Sequence, residues 1–369
     1  MSLSSPNRAD ELIPCCCCCR PQLISKAHPV ASFFPHVIKL VSTPTLELRK
    51  LIYIYILRHA ESEPDLALLC INTFQKDLND PNPLIRSMAI RVLSGIRVPM
   101  VGGVVELAVK KGASDPNPHV RKAAALAIPK LYGTDSAHYA TLLPILTGLL
   151  ADPSSIPLGA AVTAFLELCP HRLDALHPHF RRYCALLVEA DEWTQLVLMD
   201  VLGRYARTML ERPPHGDDDN GEDGEPDEDL VLLLSATGAL LYSPSPAVVL
   251  AVARLHHLLS PPPPTPLPHL APPLLKLLHH SDSGIRLAVL RSCAQLARER
   301  PDVFDDEVEG EGRWKAFLLS GGEGGTEART KLEVLQELVS ESNVRQVVEE
   351  LIVRAKLRSS RLRRHSADL

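Results

Sequence analysis

Apolar side chains recur along this chain at three- and four-residue steps, in short blocks separated by proline-bearing turns. Ile85, Met88, Ala89, Val92 and Ile96 form one such stripe, and Val120, Ala124, Ala127, Ile128 and Leu131 form another. That spacing predicts amphipathic helices with one buried face. Each stripe follows the same phrase, Asp80-Pro81-Asn82-Pro83-Leu84-Ile85-Arg86 and then Asp115-Pro116-Asn117-Pro118-His119-Val120-Arg121, 35 positions apart. Proline denies the preceding residue the α region and presets φ for the next helix, so the phrase ends one helix and starts another. Upstream partner stripes are Leu66, Leu69, Cys70 and Phe74, and then Val101, Val104, Val105 and Ala108 after Pro99. The repeating unit is therefore a helix pair.

The beat continues. Asp152-Pro153 follows Asp115 by 37 residues and precedes Ala160, Ala161, Ala164, Phe165 and Leu168; Asp191 follows by 39 more and precedes Leu196, Met199, Val201 and Leu202. Ser243-Pro244-Ser245-Pro246 comes 52 residues later, but the 17 residues Pro213 to Asp229 look inserted, and Asp282-Ser283-Gly284-Ile285-Arg286 follows 39 after Ser243. A short helix pair cannot cover its own apolar stripes, so pairs stack. The expected fold class is all-α, an α-solenoid of HEAT/armadillo-like helix-pair repeats; the spaced Trp, Gly and Tyr pattern of tetratricopeptide repeats is missing from the first helices. The turn residues Asp80, Arg86, Asp115, Arg121, Asp152, Asp191, Asp282 and Arg286 are the candidate structural sites. In that repeat class the acid caps the second helix and the base bridges to the adjoining repeat.

Composition narrows the function. With 369 residues the chain exceeds a usual single core, a limit that a stacked array escapes. Aromatic residues are only 4%, which suits helix-on-helix layers, and the net charge of -5 argues against nucleic acid as a general partner. The apolar runs, such as Leu230 to Leu234, fall short of a membrane span. No stretch at the start reads as a secretory signal, and Cys70, Cys169, Cys184 and Cys293 have no disulfide-framework spacing, so reduced thiols are expected.

The expected organisation is a disordered or mis-assigned segment at 1–32, a helical-repeat trunk at 33–210, an acidic disordered loop at 211–229, a second stretch of trunk at 230–353 with a proline-rich loop at 261–273, and a basic tail at 354–369. The Cys15–Cys19 run reads as part of an unstructured start, with metal binding and reversible acylation as the functional alternatives. Nine acids between Asp217 and Asp229 lack the glycine and terminal glutamate of a calcium loop. Six bases from Arg354 to Arg364 read as a solvated helix end, with anionic lipid as the alternative. Chemistry is not in evidence: there is no nucleophile elbow, no His-Glu-x-x-His, and the Gly321–Gly325 cluster, which reads as a loop, lacks the Lys-Ser or Lys-Thr of a phosphate loop. His171, Asp174, His177 and His179 are broken into turns by Pro170 and Pro178. The pairs His256-His257 and His279-His280 read as surface residues, because adjacent residues on a helix point about 100° apart. No enzyme activity, cofactor or metal is expected.

Longer phrases resemble a family. Phe34-Pro35-His36-Val37-Ile38-Lys39, Leu51 through Glu61, Pro64 through Leu69, Leu84 through Arg91, Ser94-Gly95-Ile96-Arg97-Val98-Pro99 and Asp191-Glu192-Trp193-Thr194-Gln195 resemble the trunk of a β-adaptin. Gly95 through Pro99 with Ala127-Ile128-Pro129-Lys130 looks most like the β subunit of the third adaptor complex, in its fungal form. The resemblance runs from about Phe33 to Leu351 and suggests an N-terminal trunk fragment, since nothing after Leu369 supplies a hinge or appendage. It implies a scaffold that holds medium, small and second large adaptor subunits, with a coat protein as a further partner. Work on the cytosolic face of Golgi, endosomal and transport-vesicle membranes, in delivery to the vacuole or lysosome, is implied as well. The alternative is another HEAT-type scaffold, such as a nuclear-transport receptor or a coatomer-like subunit.

Overall fold

The computed structural model describes residues 34–210, 227–260, 268–304, 313–319, 324–340 and 343–353, so the Cys15–Cys19 run and the basic tail lie outside the described residues. The chain divides into two compact units, one ending at Phe180 and the other beginning at Arg181. Every regular element among the described residues is helical, as expected for the α-solenoid class.

In the first unit α1 (Phe34–Ile38), α2 (Leu46–His59), α3 (Pro64–Leu68) and α4 (Ile71–Asp77) precede α5 (Pro83–Leu93), α6 (Gly102–Ala113), α7 (Pro118–Thr134), α8 (Tyr139–Leu150) and α9 (Ser155–Leu168). Second helices of successive pairs pack on one another, α2 on α5, α5 on α7 and α7 on α9, and the first helices α6 and α8 pack likewise. The fit is close because the facing residues are small. Ala123, Ala124, Ala125 and Ala127 of α7 are all buried. Gly112 of α6 permits the approach: a Cβ there would collide with Ile90 Cδ1 and lie 3.1 Å from Ala124 Cβ. The stripe expected over Leu66–Phe74 is broken between α3 and α4; Cys70 and Phe74 are buried, but Leu69 at the break is exposed.

After α10 (Phe180–Leu187), the second unit comprises α11 (Glu192–Met209), α12 (Glu228–Gly238), α13 (Pro246–Leu259), α14 (Ala271–Leu277), α15 (Ser283–Glu299), α16 (Gly325–Leu338) and a helical stretch at 344–353. Here α11 packs on α13, α13 on α15 and α15 on α16. The helices α11 and α13, which flank the acidic segment in the sequence, pack on each other within the second unit, so the division falls at 180/181 instead of at the insertion.

Three expectations change. The acidic loop ends before Asp227: its carboxylate caps α12 by accepting from the Asp229 amide, and Glu228 and Asp229 fill the first turn, where acids suit the helix dipole. The proline-rich loop likewise ends early, since Pro272 and Pro273 open α14, a place where a missing N–H costs nothing. His256 is not a surface residue. It falls on the buried stripe of α13 with Val249, Val252 and Leu259, is 4% exposed, and its Nε2 lies 2.8 Å from the Thr237 hydroxyl. Its Nδ1 lies 3.2 Å from His269 Nε2. Burial, and secondarily the charge of His269, pulls the His256 pKa down to about 4.

The unfolded chain takes up this proton near pH 6.5, whereas the fold withholds it until about pH 4. The contribution of neutral His256 is therefore complete above about pH 6.5 and is lost as pH falls toward 4. Thermal melts between pH 4 and 6.5 are expected to show a flatter pH dependence for His256→Gln than for the unaltered chain; equal slopes would contradict the buried imidazole.

Candidate functional site

The turns between paired helices share one hydrogen-bonding plan. Asn82, Asn117 and Ser154 are the N-caps of α5, α7 and α9, each accepting from the amide two residues on. The aspartates stand two residues earlier. Asp80, Asp115 and Asp152 accept from the amides of Asn82, Asn117 and Ser154 at 2.8, 2.8 and 2.9 Å, closing Asx turns. The acid therefore shapes the turn, and the neutral residue after it caps the helix.

Four residues after each cap comes the bridging position. Arg86 donates through Nη1 to the carbonyls of Asp80 and Pro81 at 2.9 and 3.0 Å, and through Nε and Nη2 to both oxygens of Asp115 at 2.7 and 2.9 Å. Arg121 repeats the pattern one pair later, to the Asp115 and Pro116 carbonyls at 2.9 and 3.0 Å and to Asp152 at 2.5 and 3.1 Å. Each guanidinium closes its own turn and grips the acid of the next. A planar fork is suited to both tasks. The Arg86 and Asp115 side chains are only 15% and 10% exposed. Burial alone would raise the Asp115 carboxyl, but hydrogen bonds from Arg86 and the Asn117 amide, with the charges of Arg86 and Arg121, hold it below the usual carboxylate range.

Sequence reasoning missed the first rung. Arg49 donates to the Thr43 carbonyl at 2.9 Å and to Asp77 at 3.2 Å, while the Tyr53 hydroxyl donates to the other Asp77 oxygen at 2.7 Å. The signal was present: Arg49 lies six residues after Thr43, as Arg86 lies six after Asp80. In the second unit Arg286 donates to the carbonyls of His280 and Ser281 at 2.8 and 2.9 Å and to the buried Glu327 at 2.9 Å.

Asp191 and Asp282 occupy the cap position, two residues later than their supposed equivalents Asp80 and Asp115. The cap residue Asp191 accepts from the Thr194 hydroxyl at 2.7 Å, and among the described residues no ion pair joins it to an arginine. Asp282 caps α15 through the Gly284 amide at 2.7 Å. The turn position before it belongs to His280, whose Nδ1 accepts from the Asp282 amide at 3.0 Å, so that nitrogen carries no proton. Where the bridging arginine is replaced, by Leu158, Gln195 and Val249, the following turn in the chain offers exposed Glu189, then Ser243, then His280, and no buried acid. Among the described residues a buried carboxylate appears only where an arginine meets it, as the cost of desolvating an unpaired charge requires.

Reactive chemistry is missing among the described residues. No cluster there has the composition of a metal site, and the His171, Asp174, His177 and His179 group lies around a 3-10 turn at Leu173–His179 without forming one. Cys70, Cys169, Cys184 and Cys293 are buried and free; burial pushes Cys70 up to about 11 and Cys184 and Cys293 to about 12, which keeps these thiols protonated. A cavity beside Leu146, Phe165 and Cys169 holds only about 10 Å³, room for a single water. No helix among the described residues is long and apolar enough to cross a membrane.

Stacked helix pairs joined by charged turns define a helical-repeat scaffold. The chain belongs to the adaptin family, whose "Adaptin N terminal region" matches residues 22–360, beyond the Phe33–Leu351 stretch on both sides. It is 37% identical over 359 residues to "AP-3 complex subunit beta-2" of Mus musculus, covering 89% of this chain and 32% of that protein. It is 36% identical over 320 residues to "AP-3 complex subunit beta" of Schizosaccharomyces pombe, covering 87% of this chain and 41% of that protein. The fold is similar to a chain of "Homology model of the full-length AP-3 complex in an intermediate open conformation", with a TM-score of 0.59 and 28% identity over 88% of this chain and 55% of that one. The chain thus spans about a third of the length of the mouse relative.

Arg86→Ala removes the guanidinium donor from the Asp80 and Pro81 carbonyls and from the Asp115 carboxylate, which keeps only the Asn117 amide, and is expected to lower stability by about 1 to 3 kcal/mol. Arg91→Ala, on the same helix but exposed, is expected to change it by less than about 0.5 kcal/mol. Urea denaturation midpoints check both, and equal midpoints would contradict the rung.

Proposed function

We propose that this chain serves as the β-type trunk of an adaptor complex of the AP-3 kind, holding the medium, small and second large subunits in vesicle-mediated protein transport. The observation that carries the reading is the similarity to AP-3 β subunits along 89% of the chain, over the part of the sequence that builds the repeats. The physical character of the repeats supports it. An array offers a partner many shallow contacts along its length, and rungs between repeats keep those contacts in register. Bulky apolar side chains stand open to such partners: Met100 and Trp193 are each 79% exposed. Trp193 lies in the first turn of α11, within one of the phrases that carry the family resemblance.

Membrane association then comes through the assembled complex, on the cytosolic face of Golgi, endosomal and transport-vesicle membranes, with cargo bound for the vacuole or lysosome and a coat protein recruited alongside. The buried, protonated thiols support a binding role over a catalytic one. Co-expression of the tagged chain with medium, small and second large AP-3 subunits is expected to recover the medium subunit in stoichiometric amount by affinity capture. Recovery of nuclear-transport components with no adaptor subunit would contradict the proposal.

A further inference from the structure

In the second unit, α13 and α15 enclose between them a groove of about 440 Å³, whose walls include Leu250, Arg254, His257, Leu258, Arg291 and Gln295. Arg254 and Arg291 hold one repeat position, nine residues after the caps Ser245 and Asp282. Both are exposed, and no ion pair among the described residues includes either. The acid at the groove's end serves other groups: Glu299 binds His257 Nε2 at 2.7 Å and Gln295 Nε2 at 3.2 Å. The hydrogen bonds from Gln295 and His257 keep that carboxyl below its usual range, so it remains an anion committed to those two side chains. His257, with its side chain 10% exposed, also has a buried Nδ1 without a hydrogen-bond partner among the described residues. Leu250 and Leu258, the latter 45% exposed, lie one turn before and one turn after Arg254 on α13 and add apolar surface to the same wall.

Packed helices lie about 8 to 10 Å apart, a span that carboxylates two or three residues apart on an extended peptide match, and such a peptide, unlike a lone phosphate, also has an apolar side chain to set against Leu250 and Leu258. The chain's net charge of -5 disfavours nucleic acid, and a flat bilayer does not enter a groove. We propose that this groove docks an acidic segment of a partner protein, an extended peptide with carboxylates on both sides of one apolar side chain. The guanidinium groups take the carboxylates, and the apolar side chain lies against Leu250 and Leu258. This site is independent of whether the chain assembles with adaptor subunits.

The test titrates the full chain into a fluorescein-labelled heptapeptide carrying two glutamates on each side of a leucine, read by fluorescence anisotropy at low and at raised salt. Arg254→Glu and Arg291→Glu are each expected to weaken binding about tenfold or more, and raised salt to weaken the unaltered chain. Arg254→Gln and Arg291→Gln, which keep a long polar side chain, are expected to follow in the same direction, with circular-dichroism melts reporting that every variant folds. Arg91→Glu is the control: Arg91 holds the same repeat position on α5, but its counterpart on α7 is Leu126, so binding is expected to stay within about twofold. No binding by the unaltered chain, equal binding of a peptide with glutamine for every glutamate, or equal weakening by Arg91→Glu would overturn the proposal. Binding that emerges only after residues 213–226 are deleted would assign the groove to the chain's own acidic segment, and a dimer dispersed by Arg254→Glu in sedimentation would assign it to a second copy. Either result would overturn it as well.

Discussion

An arginine that closes its own turn while gripping the acid of the next turn meets two requirements with one side chain. A proline-bearing turn leaves carbonyls pointing away from any helix, and a stack of helix pairs needs something to fix the offset between neighbours. The Arg86 guanidinium satisfies the Asp80 and Pro81 carbonyls and, with its remaining donors, the Asp115 carboxylate. Apolar packing between alanine-rich faces is strong but slides easily, because small side chains fit in several registers. A bidentate ion pair does not slide. The rungs at Arg49, Arg86, Arg121 and Arg286 therefore set where the helices that carry them sit, and the small residues along α7 and Gly112 then allow the helices of the first unit to close.

The helix pairs, their turns and the Asp/Arg step were legible because they repeat, and repetition separates a signal from the noise of propensity. The details that failed were those in which chemistry, rather than identity, repeats. Asp282 looked like another Asp80, yet the structure places it with Asn82, since either side chain can cap a helix. His280 hid in the turn position because an imidazole nitrogen accepts the same amide as a carboxylate oxygen. Asp77 was invisible as the partner of Arg49, lying outside the turn phrase on the preceding helix. His256 was misjudged by reading the His256-His257 pair as a unit; the stripe through Val249 and Val252 carries one ring inward and leaves its neighbour at the edge.

What the site lacks follows from what the fold spends its polar groups on. Among the described residues the buried carboxylates Asp77, Asp152 and Glu327 are consumed by the rungs, the buried thiols are held protonated, and the buried imidazole is held neutral by its surroundings. Such a molecule acts through its surface. Arg254 and Arg291, which no rung uses, hold matched positions on packed neighbouring helices of the second unit and line one groove there.

The central claim is that the rung itself, beyond the two residues separately, couples adjacent repeats. A double-mutant cycle on Arg86→Ala and Asp115→Ala, read by urea denaturation, isolates that coupling. An interaction energy of about 1 to 2 kcal/mol is expected for a largely buried bidentate pair. Additive effects, with an interaction energy within about 0.3 kcal/mol of zero, would contradict it.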